Sequence, residues 1–156
     1  MAQSCKYVKQ LEEACRLVSE VLGRTGDRLV FQSRSGPPTQ PWLEPDVLDC
    51  LREVKQCDLA ASVVLAPIGF ISDHLEVLYD LDTEAKQLCA DLQLPMVRAG
   101  TAGTHPAFVR VIRELIVERM NDSPVRIARE ALGASHDVCP ADCCPAPQRP
   151  ATAVRS

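Results

Sequence analysis

Residues 61–80, ASVVLAPIGFISDHLEVLYD, carry the strand-to-helix transition on which an α/β reading rests. Their first half is a near-continuous apolar run carrying β-branched Val63 and Val64, the pattern of a strand buried on both faces of a parallel sheet. From residue 73 the apolar positions turn to helical spacing, and this continues to residue 92. PMVRAG, residues 95–100, then reads as a further strand. A strand, a helix and a strand in that order require a crossover connection, and crossovers build parallel sheets.

The same alternation extends outward. Residues 4–22 place Val8, Leu11, Cys15, Leu17, Val18, Val21 and Leu22 at spacings of three and four among charged residues, with Gly23 as a stop signal. Arg28 to Gln32, RLVFQ, predicts a short strand. SRSGPPTQPW, residues 33–42, is a loop because Gly36, Pro37, Pro38 and Pro41 break both regular structures. Pro45 suits the first helical position of EPDVLDCLREVKQC, residues 44–57. A last helix runs from Pro106 to Met120, with Phe108, Val109, Ile112, Leu115, Ile116 and Met120 on its inner face. The order α-β-α-β-α-β-α predicts an α/β fold, a three-layer parallel sheet whose ligand sites lie at the C-terminal ends of the strands. Both SRSGPPTQPW and PIGFISDH fall at such ends. Residues 1–132 form this domain. From 133 to 156 prolines and small residues replace periodicity, which predicts an irregular Cys-rich tail.

With 156 residues, 46% of them hydrophobic, the chain suits one domain with a tail. A net charge of −4 provides no electropositive field for nucleic acid. No basic flank precedes an apolar segment at the N-terminus and no stretch of about 18 apolar residues occurs, so neither export nor a transmembrane segment is expected. The reading is cytoplasmic, where eight cysteines are thiols or metal ligands before they are disulfides.

The ionisable residues concentrate in 73–84. Glu76, Asp80 and Glu84 are four apart, so on an α-helix they drift by about 40° per step and form a row along one side. Two readings stay open. Oxygen ligands in a row suit a hard divalent cation handed from rung to rung. Alternatively, Asp73 and Glu76 form a capping box while Asp80 and Glu84 are a solvated face. His74, alone, reads as a hydrogen-bonded structural residue as readily as a ligand. The row begins directly after a buried strand, where an α/β cleft opens.

VFQSRSGPPTQPWLEPDV, PIGFISDHLEVLYDLDTEA and THPAFVRVIRELI, in this order and spacing, resemble the C-terminal half of ferrochelatase over residues 5–120. That family inserts Fe²⁺ into a porphyrin in haem biosynthesis, between two similar α/β lobes. The resemblance implies one chelatase-like lobe here. It implies catalytic roles for Glu76, as the active-site glutamate, and His74, at the helix start. Asp80 and Glu84 match the acidic row, making Glu76, Asp80 and Glu84 the metal path. Trp42 and Gln32 match positions near the porphyrin cleft. The family's essential histidine precedes the segment that matches here, as does the first lobe. The expectation is a chain that needs an N-terminal lobe and has little or no activity alone.

Cys139, Cys143 and Cys144 lie within HDVCPADCCP, and clustered thiolates suit Zn²⁺ or iron–sulfur ligation. The cluster resembles the C-terminal extension of ferrochelatases that hold a [2Fe–2S] cofactor, with a fourth ligand such as His136 or a cysteine elsewhere. Two rivals accompany this reading. One is a half-length chelatase that self-associates to rebuild its cleft. The other is a non-catalytic metal- or porphyrin-binding module with a redox cluster in its tail.

Overall fold

The computed structural model describes residues 7–33, 42–128, 133–134, 136–138 and 141. Its elements run α1 (Tyr7–Leu22), α2 (Val47–Gln56), β1 (Val63–Leu65), α3 (Leu75–Val77), a π-helical segment (Leu78–Ala85), α4 (Lys86–Asp91), β2 (Met96–Arg98) and α5 (Pro106–Met120). β1 and β2 pair in parallel, Val63 with Met96, Val64 with Val97 and Leu65 with Arg98. The crossover between them is the continuous helical rod from Leu75 to Asp91.

The strands are shorter than the sequence predicts. β1 stops at Leu65 because the Ala66 carbonyl accepts from Ile68 N at 2.8 Å and Pro67 has no N–H to offer a ladder. Nor is the strand covered on both faces, since Val64 is 70% exposed. The strand predicted over residues 28–32 is absent from the sheet. Phe31 makes an isolated parallel bridge to Asp46, donating to the Pro45 carbonyl and accepting from Val47 N. Having no strand beside it, the segment serves as a tie at the start of α2.

That start also shifts. Pro45 lies before the helix, and Asp46 is its N-cap, in an extended conformation with its carboxylate accepting from Leu48 N at 2.8 Å. α1 ends as expected at Gly23, which takes φ +62 while Arg24 N donates back to the Ser19 carbonyl at 2.9 Å.

The core is centred on the rod. Val77, Leu81, Ala85 and Cys89 are buried, no more than 3% exposed, and pack with Val47, Leu51 and Leu94. Their spacing is four throughout. On a uniform α-helix such a row would rotate by about 120° over three steps and carry one end out of the core. The eight π-helical residues, with their i→i+5 hydrogen bonding, add to each turn and hold the row in line. The uniform α-helix expected over 73–92 is therefore corrected to a helix with a wide middle. The predicted inner face of α5 differs too: none of its residues is buried, and Val109, Ile112, Leu115, Ile116 and Met120 are exposed. No described element packs over them.

Candidate active site at the carboxylate helix

The rod that carries the buried row carries the acidic row one position earlier. Glu76, Asp80 and Glu84 each precede a core residue, Val77, Leu81 and Ala85, so burial of the second row fixes the direction of the first. Widening of the helix that aligns one row aligns the other. The drift of about 40° per step expected on an α-helix does not carry over to this wider segment.

His74, Leu75, Glu76, Tyr79 and Asp80 line an open depression of about 490 Å³. The His74 ring packs edge-on against Phe70, with centroids 4.9 Å apart and planes at 69°. His74 is the N-cap residue of α3, yet its side chain makes no capping bond. Glu76 and Glu84 have no hydrogen-bond or ion-pair partner among the described residues. The capping box fails on the same evidence, because Asp73 reaches Arg98 instead of a backbone N–H.

Asp80 is held from the opposite side of the structure. Gln32 Nε2 donates to its Oδ2 at 3.3 Å, and the Ser33 hydroxyl donates to the same oxygen. Ser33 takes φ +61, a left-handed conformation that non-glycine residues adopt sparingly. Gln32 thus meets the acidic row directly. Trp42, at the end of the SRSGPPTQPW loop, is partly exposed and has no polar partner among the described residues.

A second arrangement fixes the far flank of the rod. Arg98, at the end of β2 and 15% exposed, donates through Nε to Asp82 at 2.7 Å and through Nη1 to Asp73 at 3.0 Å. The hydrogen bond from Arg98 holds the Asp82 carboxyl below the usual carboxylate range, and the same bond raises Arg98. Sequence reasoning missed both Ser33 and Arg98. Arg98 had one local signal, a charged residue in an otherwise apolar strand segment.

Among the described residues no three His, Cys, Asp or Glu side chains converge on one point to cage a metal. The acids form an open row, an arrangement that offers ligands in sequence. Cys5, Cys139, Cys143 and Cys144 lie outside the described residues. Of the others, Cys50 and Cys89 are buried, Cys15 is half-buried and Cys57 is exposed, all as free thiols. His105 caps α5, its Nδ1 accepting from Ala107 N at 3.2 Å. No helix among the described residues is long and apolar enough to cross a membrane.

The family profile described as Ferrochelatase matches residues 1–120. The chain is 53% identical over 154 residues to the ferrochelatase of Rhodopirellula baltica, an alignment that covers 98% of this chain and 44% of that protein. It is 48% identical over 157 residues to the coproporphyrin III ferrochelatase of Streptomyces coelicolor, covering 94% and 42%. With the coproporphyrin III ferrochelatase of Nocardia farcinica it shares 44% identity over 153 residues, covering 96% and 43%. The chain therefore spans less than half the length of these curated relatives. A profile match over most of its residues, with a helix, a parallel strand pair and an acidic row that agree with the motif, shows that this chain belongs to the ferrochelatase family.

Proposed function

We propose that this chain supplies the acidic wall of a ferrochelatase, whose complete form inserts Fe²⁺ into a porphyrin, protoporphyrin IX or coproporphyrin III, in haem biosynthesis. The observation that carries this reading is Glu76: it has no internal partner among the described residues, and it lines one depression with His74 and Asp80. A carboxylate held without a partner is available to a cation or to a pyrrole proton.

Insertion replaces two pyrrole N–H protons by one Fe²⁺, so two protons must leave as the ion sheds its water. Glu76, at the head of the row, accepts a proton or passes the ion. Asp80 and Glu84 bring Fe²⁺, the substrate metal, along the rod through oxygen ligands that are weak enough to release it. Gln32 and Ser33 orient Asp80. His74 belongs to the same depression, with its ring set by Phe70. Trp42 is assigned to the macrocycle edge. The opposing wall, with a further base, belongs to an N-terminal lobe, in keeping with relatives more than twice as long.

In this reading residues 1–132 are one lobe of a three-layer, two-lobe cytoplasmic enzyme and residues 133–156 are its tail. Thiolates at Cys139, Cys143 and Cys144 suit a [2Fe–2S] cluster. Metal insertion transfers no electron, so no step passes through such a cluster.

The test is Fe²⁺ insertion by the purified chain, alone and mixed with the unmatched N-terminal part of the Rhodopirellula baltica ferrochelatase, with Glu76→Gln as control. Activity on mixing that the substitution abolishes is expected. No activity in any mixture that forms a complex would overturn the assignment, and activity of the chain alone would establish the self-associating alternative.

A further inference from the structure

We infer that Arg98 is the positioning residue of the acidic row: its guanidinium, reaching Asp73 with one N–H and Asp82 with another, fixes the rotation of the π-helical segment about its axis. The inference rests on the reading of Glu76, Asp80 and Glu84 as a metal path, and it assigns to that path a residue outside it.

The geometry has three parts. First, Arg98 stands on a different element from either carboxylate, 25 positions from Asp73 and 16 from Asp82. It ties Asp73, two positions before the rod, and a residue in the middle of the π turn to the end of one strand. Second, the donors are Nε and Nη1, two separate points on a rigid plane. A planar fork constrains orientation as well as distance, which a lysine ammonium does not. Third, Asp82 lies midway between Asp80 and Glu84 in sequence, so pulling Asp82 towards β2 turns its neighbours away from β2. Gln32 and Ser33 then receive Asp80 on the other side. The wide helix is held from two flanks, and the three acids left outside the Arg98 clamp are Glu76, Asp80 and Glu84.

The clamp also sorts the charges. Five carboxylates occur from residue 73 to residue 84, and two of them, Asp73 and Asp82, are paired with Arg98. A cation arriving at the rod meets the unclamped row instead of a diffuse acidic patch.

The test is titration of the full 156-residue chain with Co²⁺ alone, followed by calorimetry and by the visible absorption of the bound ion, in the wild type and in Arg98→Gln, Arg98→Lys, Glu76→Gln and Arg28→Gln. Arg28→Gln removes an exposed ion pair with Glu53 and serves as a charge control. Arg98→Gln is expected to weaken Co²⁺ binding about tenfold, the low end of what outer partners of metal ligands contribute. Arg98→Lys is expected not to restore it, because one ammonium cannot reproduce the two-point fork. A changed Co²⁺ spectrum at saturation would report altered ligand orientation, which mere loss of stability does not produce. Should Arg98→Gln fail to fold, Asp82→Asn cuts one arm of the clamp and is expected to shift affinity in the same direction. Wild-type binding that Glu76→Gln weakens but Arg98→Gln, Arg98→Lys and Asp82→Asn leave intact would overturn the inference alone. Absence of Co²⁺ binding, or binding indifferent to Glu76→Gln, would overturn the metal path and the inference with it.

Discussion

Asp46 and Asp73 each stand just ahead of a helix, yet only Asp46 caps one. The difference lies in the competing partner: Asp73 faces the guanidinium of Arg98, and a charge-assisted bond to arginine outweighs a bond to a backbone N–H. Nothing within several residues of Asp73 announces that partner, which is why capping remained open from spacing alone. Glu76 and His74 were picked out as candidates because their motif is local, whereas Ser33 and Arg98 act across 47 and up to 25 positions. The converse case, one acid between two arginines, has a pH consequence. Asp137 accepts from Arg126 and Arg119, and these bonds hold its carboxyl below the ordinary carboxylate range. A depressed value in the fold means that the tie stabilises above the unfolded-state value and is lost as pH falls through the folded one. An NMR titration of the Asp137 side-chain carboxyl is expected to show a midpoint below that of a free aspartate, raised towards it in Arg126→Gln. An unchanged midpoint in that variant would remove the cause assigned here.

At the scale of elements the rod from Leu75 to Asp91 unites core and site. Its four-residue repeat was written in the sequence twice, as Val77, Leu81, Ala85 and Cys89 and as Glu76, Asp80 and Glu84, and a period of four fits a helix wider than the α form. A helix was therefore readable and its width was not, since local propensity does not distinguish the two bonding patterns. Both strands were readable in position, though Pro67 limited one of them. Leu81, 3% exposed and in the π-helical segment, tests the packing. Leu81→Ala is expected to lower unfolding stability by about 2–5 kcal/mol in urea titration, the range for buried leucines. Leu75→Ala, on the same rod but 81% exposed, is expected to change it by about 0.5 kcal/mol or less. Similar losses in the two variants would mean that the buried row does not anchor the rod.

Across the whole molecule the uncovered faces stand out. Ile112, Leu115, Ile116, Arg119 and Met120 surround a depression of about 520 Å³ on α5, and Val64 and Val97 leave one face of the sheet exposed. Parallel sheets are ordinarily covered on both sides, and apolar surface of this kind seeks cover. The purified chain is expected to bind the dye ANS and to sediment faster as its concentration rises, with both effects reduced in Leu115→Ser/Ile116→Ser. A monomer without dye binding would show that these faces are covered in solution. The face of α5 predicted to point inward is exposed, because its apolar spacing carries no information about what lies opposite it. The parallel pairing has a consequence for synthesis. β1 begins at Val63 and β2 at Met96, 33 positions later, and Arg98 is the last residue of β2. A ribosome moving at about 5–20 residues per second leaves β1 without its neighbour for roughly 2–7 s. From their own emergence until that of residue 98, Asp73 and Asp82 lack their counterion, so the sheet and the acidic rod are completed together.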